Sequence, residues 1–359
     1  MFAKLPDSED IFYKAVLKSS VRALKLNHYT DNFDARRYNY DGKDHSNDFD
    51  AGYHAYHIHW FCKNHPKLYQ AYLALDDEVS RRLFLHLIAY RLAGHMSVKI
   101  PVTYNTDPRA LEEYRNMESA GSTPSGLKVS GMLGKVRHLD FQYRGHRYVI
   151  DGIRLESMLF RGQYFYERDG IRIAPEKGDH AIDGGAFLGD TACVFSNAVG
   201  PEGKVYSFDP VANNLEVINY NIRQFEFQNV KVFPFGLSDV NVHASPIVLN
   251  NYEPTFSGKG DDIPARTLDH LVQSGEVERV DFIKLDVEGA ELSVLKGAKE
   301  SIARFRPRLA ISLYHKPEDL YQIILYIKEH FPFYSQHIDH YTIHSEETVL
   351  YCMDKSGHG

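Results

Sequence analysis

Short apolar runs separated by amphipathic stretches fill the second half of this chain. Six runs predict strands, at residues 180–183, 204–209, 230–234, 282–286, 308–314 and 347–351. Two of the amphipathic stretches, residues 290–304 and 317–330, predict helices, with Pro317 tolerated in a first helical turn. Strands that alternate with helices favour a parallel sheet covered by helices on both faces. The fold class predicted for this half is therefore α/β.

The first hundred residues show helical spacing instead. Residues 9–26 predict one helix, and residues 65–93 predict two, the second running from about Asp77 to Gly94. The polar residues 27–50 between them predict a loop.

A third pattern follows, in which aromatic and charged residues alternate. Residues 97–102 predict a short strand, and residues 136–150 and 153–166 predict antiparallel strands. We therefore expect three parts: a helical N-terminal region at 1–105, a β-rich connecting segment at 106–170, and a catalytic domain at 171–359. The first is expected to act as a cap or an oligomerisation element, and the second as a substrate wall.

Composition narrows the class of partner. The chain has 359 residues, 43% of them hydrophobic, and a formal net charge of -7, which argues against nucleic acid as its main partner. Three widely spaced cysteines predict a reducing compartment without a disulfide framework. The N-terminus lacks the pattern of a signal peptide, and no run of apolar residues is long enough for a membrane span. We expect a cytoplasmic protein.

The strand predicted at 180–183 ends on an acid that is followed by a glycine-rich turn and a helix. Glycines at such a turn let the backbone approach a ligand closely. A dinucleotide fingerprint would begin with glycine where this chain has Asp183, whose charge would repel a pyrophosphate but attract the amino-acid end of S-adenosylmethionine (SAM). The predicted cofactor residues here are Asp183, Gly184, Gly185, Phe187, Gly189, Asp190 and Thr191.

The next two strand ends extend this interpretation. Asp209, which is followed by Pro210, ends the second strand, and an acid there can accept hydrogen bonds from ribose hydroxyls. The alternative is that Asp209 caps the next helix. Leu237 and Ser238 follow the third strand and are expected to edge the adenine.

The strand ends predicted at 286 and 314 carry the candidate catalytic residues. Lys284, Asp286 and Glu288 alternate along an apolar strand end, where unpaired charges would be costly, so a cleft is expected beside them. The alternative is a structural network in which Glu288 or Glu291 caps the following helix. His315 has a side chain whose ordinary pKa suits a general base near neutral pH, although it could also tie two strands together.

Two groups of histidines remain. A metal site at His54, His57 and His59 lacks a carboxylate or cysteine partner at a defined spacing, so a partly buried cluster near Trp60 is favoured. The second group either lines the catalytic pocket or lies on an exposed loop: His337, His340 and His344.

Taken together, these motifs resemble the FkbM family of SAM-dependent methyltransferases over roughly residues 163–353. The resemblance rests on the segments 182–191, 267–269 and, above all, 280–291, with further likeness at 309–317 and 340–350. It implies a class I methyltransferase (Rossmann-like) fold, SAM as cofactor and O-methylation of a sugar, glycan or related natural product. The family's usual glutamate at the second strand end is Asp209 here, which has a shorter reach.

The resulting hypothesis is in-line methyl transfer to a hydroxyl of a small molecule or glycan. His315, or failing that Asp286, would accept the proton, while Lys284 and Glu288 orient the acceptor. A divalent metal at Asp286 and Glu288 is compatible with the sequence but not required by it. Two alternatives stay open: a non-catalytic SAM-fold scaffold that binds a partner, or forms a homo-oligomer, through its N-terminal region, and a nicotinamide-dependent oxidoreductase.

Overall fold

A computed structural model describes most of the chain. The described residues are 1–2, 4–35, 50–102, 112, 116, 123–124, 136–143, 145–152, 159–224, 228–244 and 263–356. Among them, no helix combines the length and apolarity needed to cross a membrane. Residues 36–49 of the predicted loop and most of the predicted connecting segment lie outside the described residues.

The six strands predicted for the second half are present, together with strands that were not predicted, and the helix predicted at 290–304 is two short helices. The helices are α1 Glu9–Leu26, α2 Ala51–Ala74, α3 Glu78–Ala93, α4 Asp190–Val199, α5 Ala212–Gln224, α6 Leu268–Gln273, α7 Glu291–Gly297, α8 Lys299–Phe305 and α9 Asp319–His330. The strands are β1 Thr123–Pro124, β2 Arg137–Tyr143, β3 His146–Gly152, β4 Tyr166–Arg168, β5 Ile171–Ile173, β6 His180–Gly184, β7 Lys204–Phe208, β8 Val230–Phe233, β9 Gly236–Leu237, β10 Ala265–Arg266, β11 Phe282–Leu285, β12 Arg308–Ser312, β13 Tyr334–His340 and β14 Thr348–Asp354.

A seven-stranded sheet has the order β13-β14-β12-β11-β6-β7-β8. Pairing is parallel from β12 through β11, β6 and β7 to β8. Numbered along the chain, the order from the β8 edge is 3-2-1-4-5-7-6. The chain reverses direction across the sheet between β6 and β11, and in open α/β sheets ligands bind beyond the strand ends at such a switch point. The predicted α/β class with a mostly parallel sheet is confirmed.

The chain divides into two compact units. Unit 1 comprises Met1–Thr103 and Leu313–Leu350, and unit 2 comprises Tyr104–Ser312 and Tyr351–Gly359. Unit 1 therefore combines two stretches that are far apart in the sequence. The division predicted from sequence follows chain order and stays a prediction.

The helices of unit 1 are held by local capping as well as burial. Helix α1 has the predicted bounds, and the helix predicted from Asp77 is α3, whose first turn is capped by the Asp77 carboxylate at 2.7 Å from the Ser80 amide. The preceding helix begins at Ala51, not near residue 65, because Asp50 accepts hydrogen bonds from the Gly52 and Tyr53 amides and caps it there.

The strand predicted at residues 97–102 is wrong, because no described residue of this segment is in a strand. Asparagine side chains donate hydrogen bonds to the backbone carbonyls of this segment instead. Asn27 donates to the Ser97 carbonyl at 2.8 Å, and Asn32 donates to the Val98 carbonyl at 3.0 Å. A backbone satisfied by side chains does not need a neighbouring strand.

Strand β13 was not predicted, since its sequence is rich in polar residues and histidine. Its polar side chains are nevertheless buried: the His337 ring lies 2.7 Å from the Asp77 carboxylate, and the His340 ring lies 2.8 Å from the Thr348 hydroxyl. The expectation of an exposed loop is therefore wrong for these two histidines.

The pair of antiparallel strands predicted at 136–166 is partly confirmed. Strands β2 and β3 pair antiparallel in the first segment. In the second, residues 153–158 lie outside the described residues, and residues 159–165 form no strand. The next hairpin is β4–β5, which pairs Tyr166 with Ile173.

Candidate active site

The glycine turn after β6 approaches the β11 strand end so closely that only glycine fits. Gly185 has φ +79°, and a Cβ built on it would lie 1.8 Å from the Asp286 carbonyl oxygen. Gly189, at φ +81°, is the N-cap of α4, and a Cβ built on it would lie 3.1 Å from the Ile218 Cα. Between them Phe187 keeps 40% of its surface exposed despite φ +47°, a region that non-glycine residues rarely adopt. The turn is thus a tight cradle with one exposed aromatic ring.

Asp183 and Lys284 form a buried ion pair that fixes this turn. Their side chains are 0% and 2% exposed, and Lys284 Nζ lies 3.1 Å from Asp183 Oδ1. The same ammonium donates to the carbonyls of Gly184 at 3.1 Å and Gly185 at 2.7 Å. Burial alone would lower the pKa of Lys284, but the carboxylates of Asp183 and Asp286 raise it above its ordinary value. Lys284 therefore stays charged and ties β6, β11 and the turn together.

The other lone pairs of Asp183 are also used inside the protein. Thr191 Oγ1 donates to both carboxylate oxygens at 3.0 and 2.9 Å, and Ser207 Oγ donates at 3.3 Å. A fully buried carboxylate with these partners shapes the turn instead of facing a cleft. A direct contact between Asp183 and a cofactor's amino group stays a prediction.

Asp209 fixes the same turn from β7. It is 5% exposed, and it accepts from the Phe187 amide at 3.0 Å, the Val211 amide at 2.9 Å and the Asn214 side chain at 3.2 and 3.3 Å. Burial raises its pKa to about 6, against the lowering effect of these hydrogen bonds. Asp209 therefore caps the start of the following segment, as one of the two interpretations of the sequence expected. The Asn214 amide donates to both carboxylate oxygens of Asp209 in long hydrogen bonds, so a ribose hydroxyl that bound Asp209 would replace this donor most easily.

Among the described residues, the carboxylate of Asp190 accepts fewer hydrogen bonds than those of Asp183 and Asp209. Asp190 is the first residue of α4, and the amide of Thr191 donates to its Oδ1 at 3.0 Å. Burial raises its pKa to about 6, and the nearby charge of Asp183 acts in the same direction, while Lys284 lowers it. A cationic ligand group beside Asp190 would favour its ionised form.

The remaining predicted cofactor residues lie after β7 and on β9. Pro210 is half-buried, and Leu237 is buried with its backbone paired to Arg266. Ser238 donates its amide to the Arg266 carbonyl at 3.0 Å, and its hydroxyl lies 3.2 Å from the Ser293 hydroxyl. These contacts hold the loop against α7. Contact with an adenine stays a prediction.

Asp286 is held by a tyrosine that the sequence interpretation did not single out. Tyr164 donates its hydroxyl to Asp286 Oδ2 at 2.8 Å and accepts from Gln163 at 3.1 Å. Its backbone has φ +72°, and its amide donates to the Tyr351 hydroxyl at 3.1 Å. A buried tyrosine in the left-handed region is strained by roughly 1–3 kcal/mol, and such strain clusters at functional sites. Tandem aromatics in segment 163–166 were the only sequence signal.

Glu288 and Glu291 lie on the loop after β11 in different environments. Glu288 is exposed and has φ +54°. Glu291 is fully buried, and its Oε1 accepts from the Val287 amide at 2.8 Å and the Gly289 amide at 3.4 Å. Glu291 thus organises the loop that precedes α7, although no side chain caps this helix, so the capping expected in the structural alternative is not seen. Glu288 is left at the surface.

His315 belongs to unit 1, whereas the other predicted site residues belong to unit 2. It is half-buried, and its ring centroid lies 4.2 Å from that of Tyr314. Its role as a base stays a prediction.

Comparisons with known proteins agree with this geometry. Residues 183–333 match the family model described as the methyltransferase FkbM domain. The hexuronic acid methyltransferase AglP of Haloferax volcanii is 31% identical over 143 residues, which cover 38% of this chain and 58% of that protein.

A solved structure shares the fold. The crystal structure of methyltransferase FkbM from Methylobacillus flagellatus superposes with a TM-score of 0.51 at 21% identity, over 81% of this chain and 59% of that one. The chain thus spans somewhat more than half the length of each of these two proteins. The glycine turn and the acids at the end of β11 lie within the segment 183–333 that matches the family model. Over residues 183–333 this chain is therefore similar to the methyltransferase FkbM domain, and it shares the fold of a solved structure of that name.

Proposed function

We propose that this chain is a methyltransferase that uses SAM and transfers its methyl group to a hydroxyl of a sugar or glycan. The observation that carries the proposal is the glycine turn at the sheet's switch point, fixed by the Asp183–Lys284 ion pair inside an FkbM domain. The relative named as a hexuronic acid methyltransferase supports a sugar acceptor, and an acidic one in particular.

The turn has the features that a SAM site requires. At Gly185 a Cβ would collide with the backbone, so the position requires glycine, and no side chain blocks the approach of a ligand there. Exposed Phe187 offers an aromatic face, and Asp190 offers a carboxylate to an ammonium group. We assign the amino-acid end of SAM to Asp190 and leave to Asp183 the task of holding the turn.

When bound, SAM supplies a methyl group already activated by its sulfonium. The protein's task is then alignment and proton removal. Alignment of reacting groups can contribute about 7–11 kcal/mol to barrier lowering. In this chain the rigid cradle provides it, because Lys284 and Asp209 leave the turn little freedom.

Asp286 is the proposed base, because it adjoins the cradle through the hydrogen bond from its amide to the Gly184 carbonyl at 3.1 Å. The hydrogen bond from the Tyr164 hydroxyl orients the carboxylate, as a general base requires. Half-burial keeps the carboxylate accessible. Tyr164 acts as a positioning residue for Asp286, and His315 is the alternative base.

Cofactor binding is tested by calorimetry with S-adenosylhomocysteine and, in parallel, NAD. We expect S-adenosylhomocysteine to bind and NAD not to bind, with affinity reduced in Asp190→Asn. Absence of binding by the unmodified protein would overturn the cofactor assignment, and NAD binding would favour an oxidoreductase.

Catalysis is tested with SAM that carries a labelled methyl group and a panel of neutral sugars and uronic acids. Asp286→Asn is expected to lower the rate by about 10²–10⁴-fold, the usual contribution of a general base, while S-adenosylhomocysteine still binds. His315→Ala is the matched comparison. If it abolishes transfer and Asp286→Asn does not, the base is His315. Cofactor binding without turnover on any acceptor would favour the scaffold.

A further inference from the structure

Arg91 of α3 is a buried cation that none of the described residues pairs with. It is 7% exposed, and among the residues that the structure describes no hydrogen bond or ion pair reaches its guanidinium. Burial lowers its pKa, against the raising effect of Tyr53 and nearby acids. Arginine is rarely buried without a partner, because removing its charge from water is costly. Its isolation therefore requires an explanation.

The acids near Arg91 have other partners. Glu318 Oε1 accepts from the Trp60 ring at 3.1 Å, and Asp319 Oδ2 accepts from the Lys316 amide at 2.7 Å. Glu346 also acts on Arg91 through its charge. Within the described residues, no carboxylate oxygen comes within the 4.0 Å of an ion pair. These acids balance the charge of Arg91 from a distance without using its five donors.

Tyr90, next to Arg91, has a hydroxyl proton available. His344 Nε2 accepts from the Asp34 amide at 2.9 Å, so the ring proton is on Nδ1, which lies 2.9 Å from the Tyr90 oxygen. The ring therefore donates to Tyr90, whose own proton can be donated elsewhere.

One face of α2 adds a further polar atom and an aromatic wall. The His54 ring lies 2.9 Å from the Leu92 carbonyl, which brings this face of α2 beside Arg91. His57 is buried, and in the described part of the chain its Nδ1 has no hydrogen-bond partner. Its pKa is lowered to about 4 by burial and by the charge of Arg91. The His57 ring lies 4.3 Å from Tyr53, which is 40% exposed, so the cluster reaches solvent there.

We propose that Arg91, Tyr90, His57 and Tyr53 form a binding site for the carboxylate of an acidic sugar. A guanidinium grips a carboxylate with two parallel hydrogen bonds, and the Tyr90 hydroxyl supplies a third donor. Because the nearby acids already balance the charge of Arg91, they would repel a phosphate dianion more strongly than the single charge of a carboxylate. The Tyr53 ring, which is 40% exposed, offers a face to a sugar, whereas Trp60 is buried. The site lies wholly in unit 1, and its assignment does not depend on methyl transfer.

The single tryptophan of the chain reports on this site. Trp60 lies 6.3 Å from the His57 ring, and its fluorescence is followed while glucuronate, glucose or sulfate is added at constant ionic strength. We expect a saturable response to glucuronate, none to glucose, and a weaker one to sulfate. In Arg91→Met the affinity for glucuronate should fall by about tenfold or more, as expected when a charged hydrogen-bond donor is lost. The matched control Arg22→Met, on the exposed face of α1, should bind as the unmodified protein does.

Thermal unfolding separates binding from a structural role. Without ligand, Arg91→Met should raise Tm by roughly 2–4 °C, because it removes an unpaired buried charge. A fall in Tm of that size would assign Arg91 to a structural ion pair and overturn the proposal. So would an absent glucuronate response, an equal response in Arg91→Met, or sulfate binding as tightly as glucuronate. Binding of S-adenosylhomocysteine should be unchanged in Arg91→Met, so failure here is distinguishable from failure of the proposed function.

Discussion

Each of the two compact units buries a cationic side chain, but the hydrogen bonding of the two cations differs. In unit 2, Lys284 is 2% exposed and donates to Asp183 and to two carbonyls of the glycine turn. In unit 1, Arg91 is 7% exposed, and the described residues offer it no hydrogen bond. Similar burial therefore conceals different roles. A buried charge whose partners are complete holds a backbone in place, whereas one whose partners are missing has capacity left for a ligand.

The largest expected effect tests the paired cation. Lys284→Met leaves Asp183 buried without its counter-charge, and breaking a buried pair in this way typically destabilises by about 3–5 kcal/mol. Urea unfolding measures the change. Lys204→Met is the control, since it breaks an exposed pair with Glu278 and should change stability by about 1 kcal/mol or less. Equal losses in the two variants would mean that the buried pair does not hold the turn.

The next effect tests the close approach of the turn to β11. Gly185→Ala and Gly178→Ala both place a Cβ at positive φ, +79° and +85°, but only at Gly185 does the new atom meet backbone, at 1.8 Å. The shared strain is about 1–2 kcal/mol. The clash should add about 1–3 kcal/mol at Gly185 and weaken S-adenosylhomocysteine binding there alone. Chemical denaturation and calorimetry on both variants check this prediction.

A smaller effect concerns pH. The pKa of Asp190 is raised by burial from 3.8 to about 6 in the folded chain, so the folded state holds a proton that the unfolded state has released between these values. Asp190 therefore makes the free protein less stable as pH rises from about 4 to 6, and its contribution is constant above that window. Asp209 acts in the same direction, since its pKa is also about 6.

Ligand binding should show the opposite dependence at Asp190. An ammonium group prefers the ionised carboxylate, so S-adenosylhomocysteine affinity should rise as pH increases through about 6. Asp190→Asn should bind more weakly and lose this dependence, as calorimetry at several pH values can measure. A pH profile unaltered by the substitution would remove Asp190 from the cofactor site.

The smallest effect has the opposite sign to the first. Arg91→Met should stabilise the free protein where Lys284→Met destabilises it. If differential scanning calorimetry found that both variants lose stability alike, the contrast between the two buried cations would disappear.

Much of the fold could be predicted because its rules are local. Asp77 and Gly94 mark the ends of α3 through capping and positive φ. In the same way, the apolar runs of β6, β7, β11 and β12 report burial on both faces of a parallel sheet. Strand β13 escaped prediction because its buried polar side chains are satisfied by residues far away in the sequence, such as Asp77 for His337.

The candidate site divides in the same way. The sequence by itself determined the strand–turn–helix around Gly185 and the acids that follow each strand, because glycine's freedom and strand periodicity are properties of neighbouring residues. Only the tertiary structure decided that Asp183 is neutralised by Lys284, 101 residues later, and that Tyr164 holds Asp286. The same is true of Arg91, with which no residue in the described part of the chain pairs. Which charged side chains come into contact depends on how segments that are distant in sequence pack together, and the spacing of hydrophobic residues does not determine that packing.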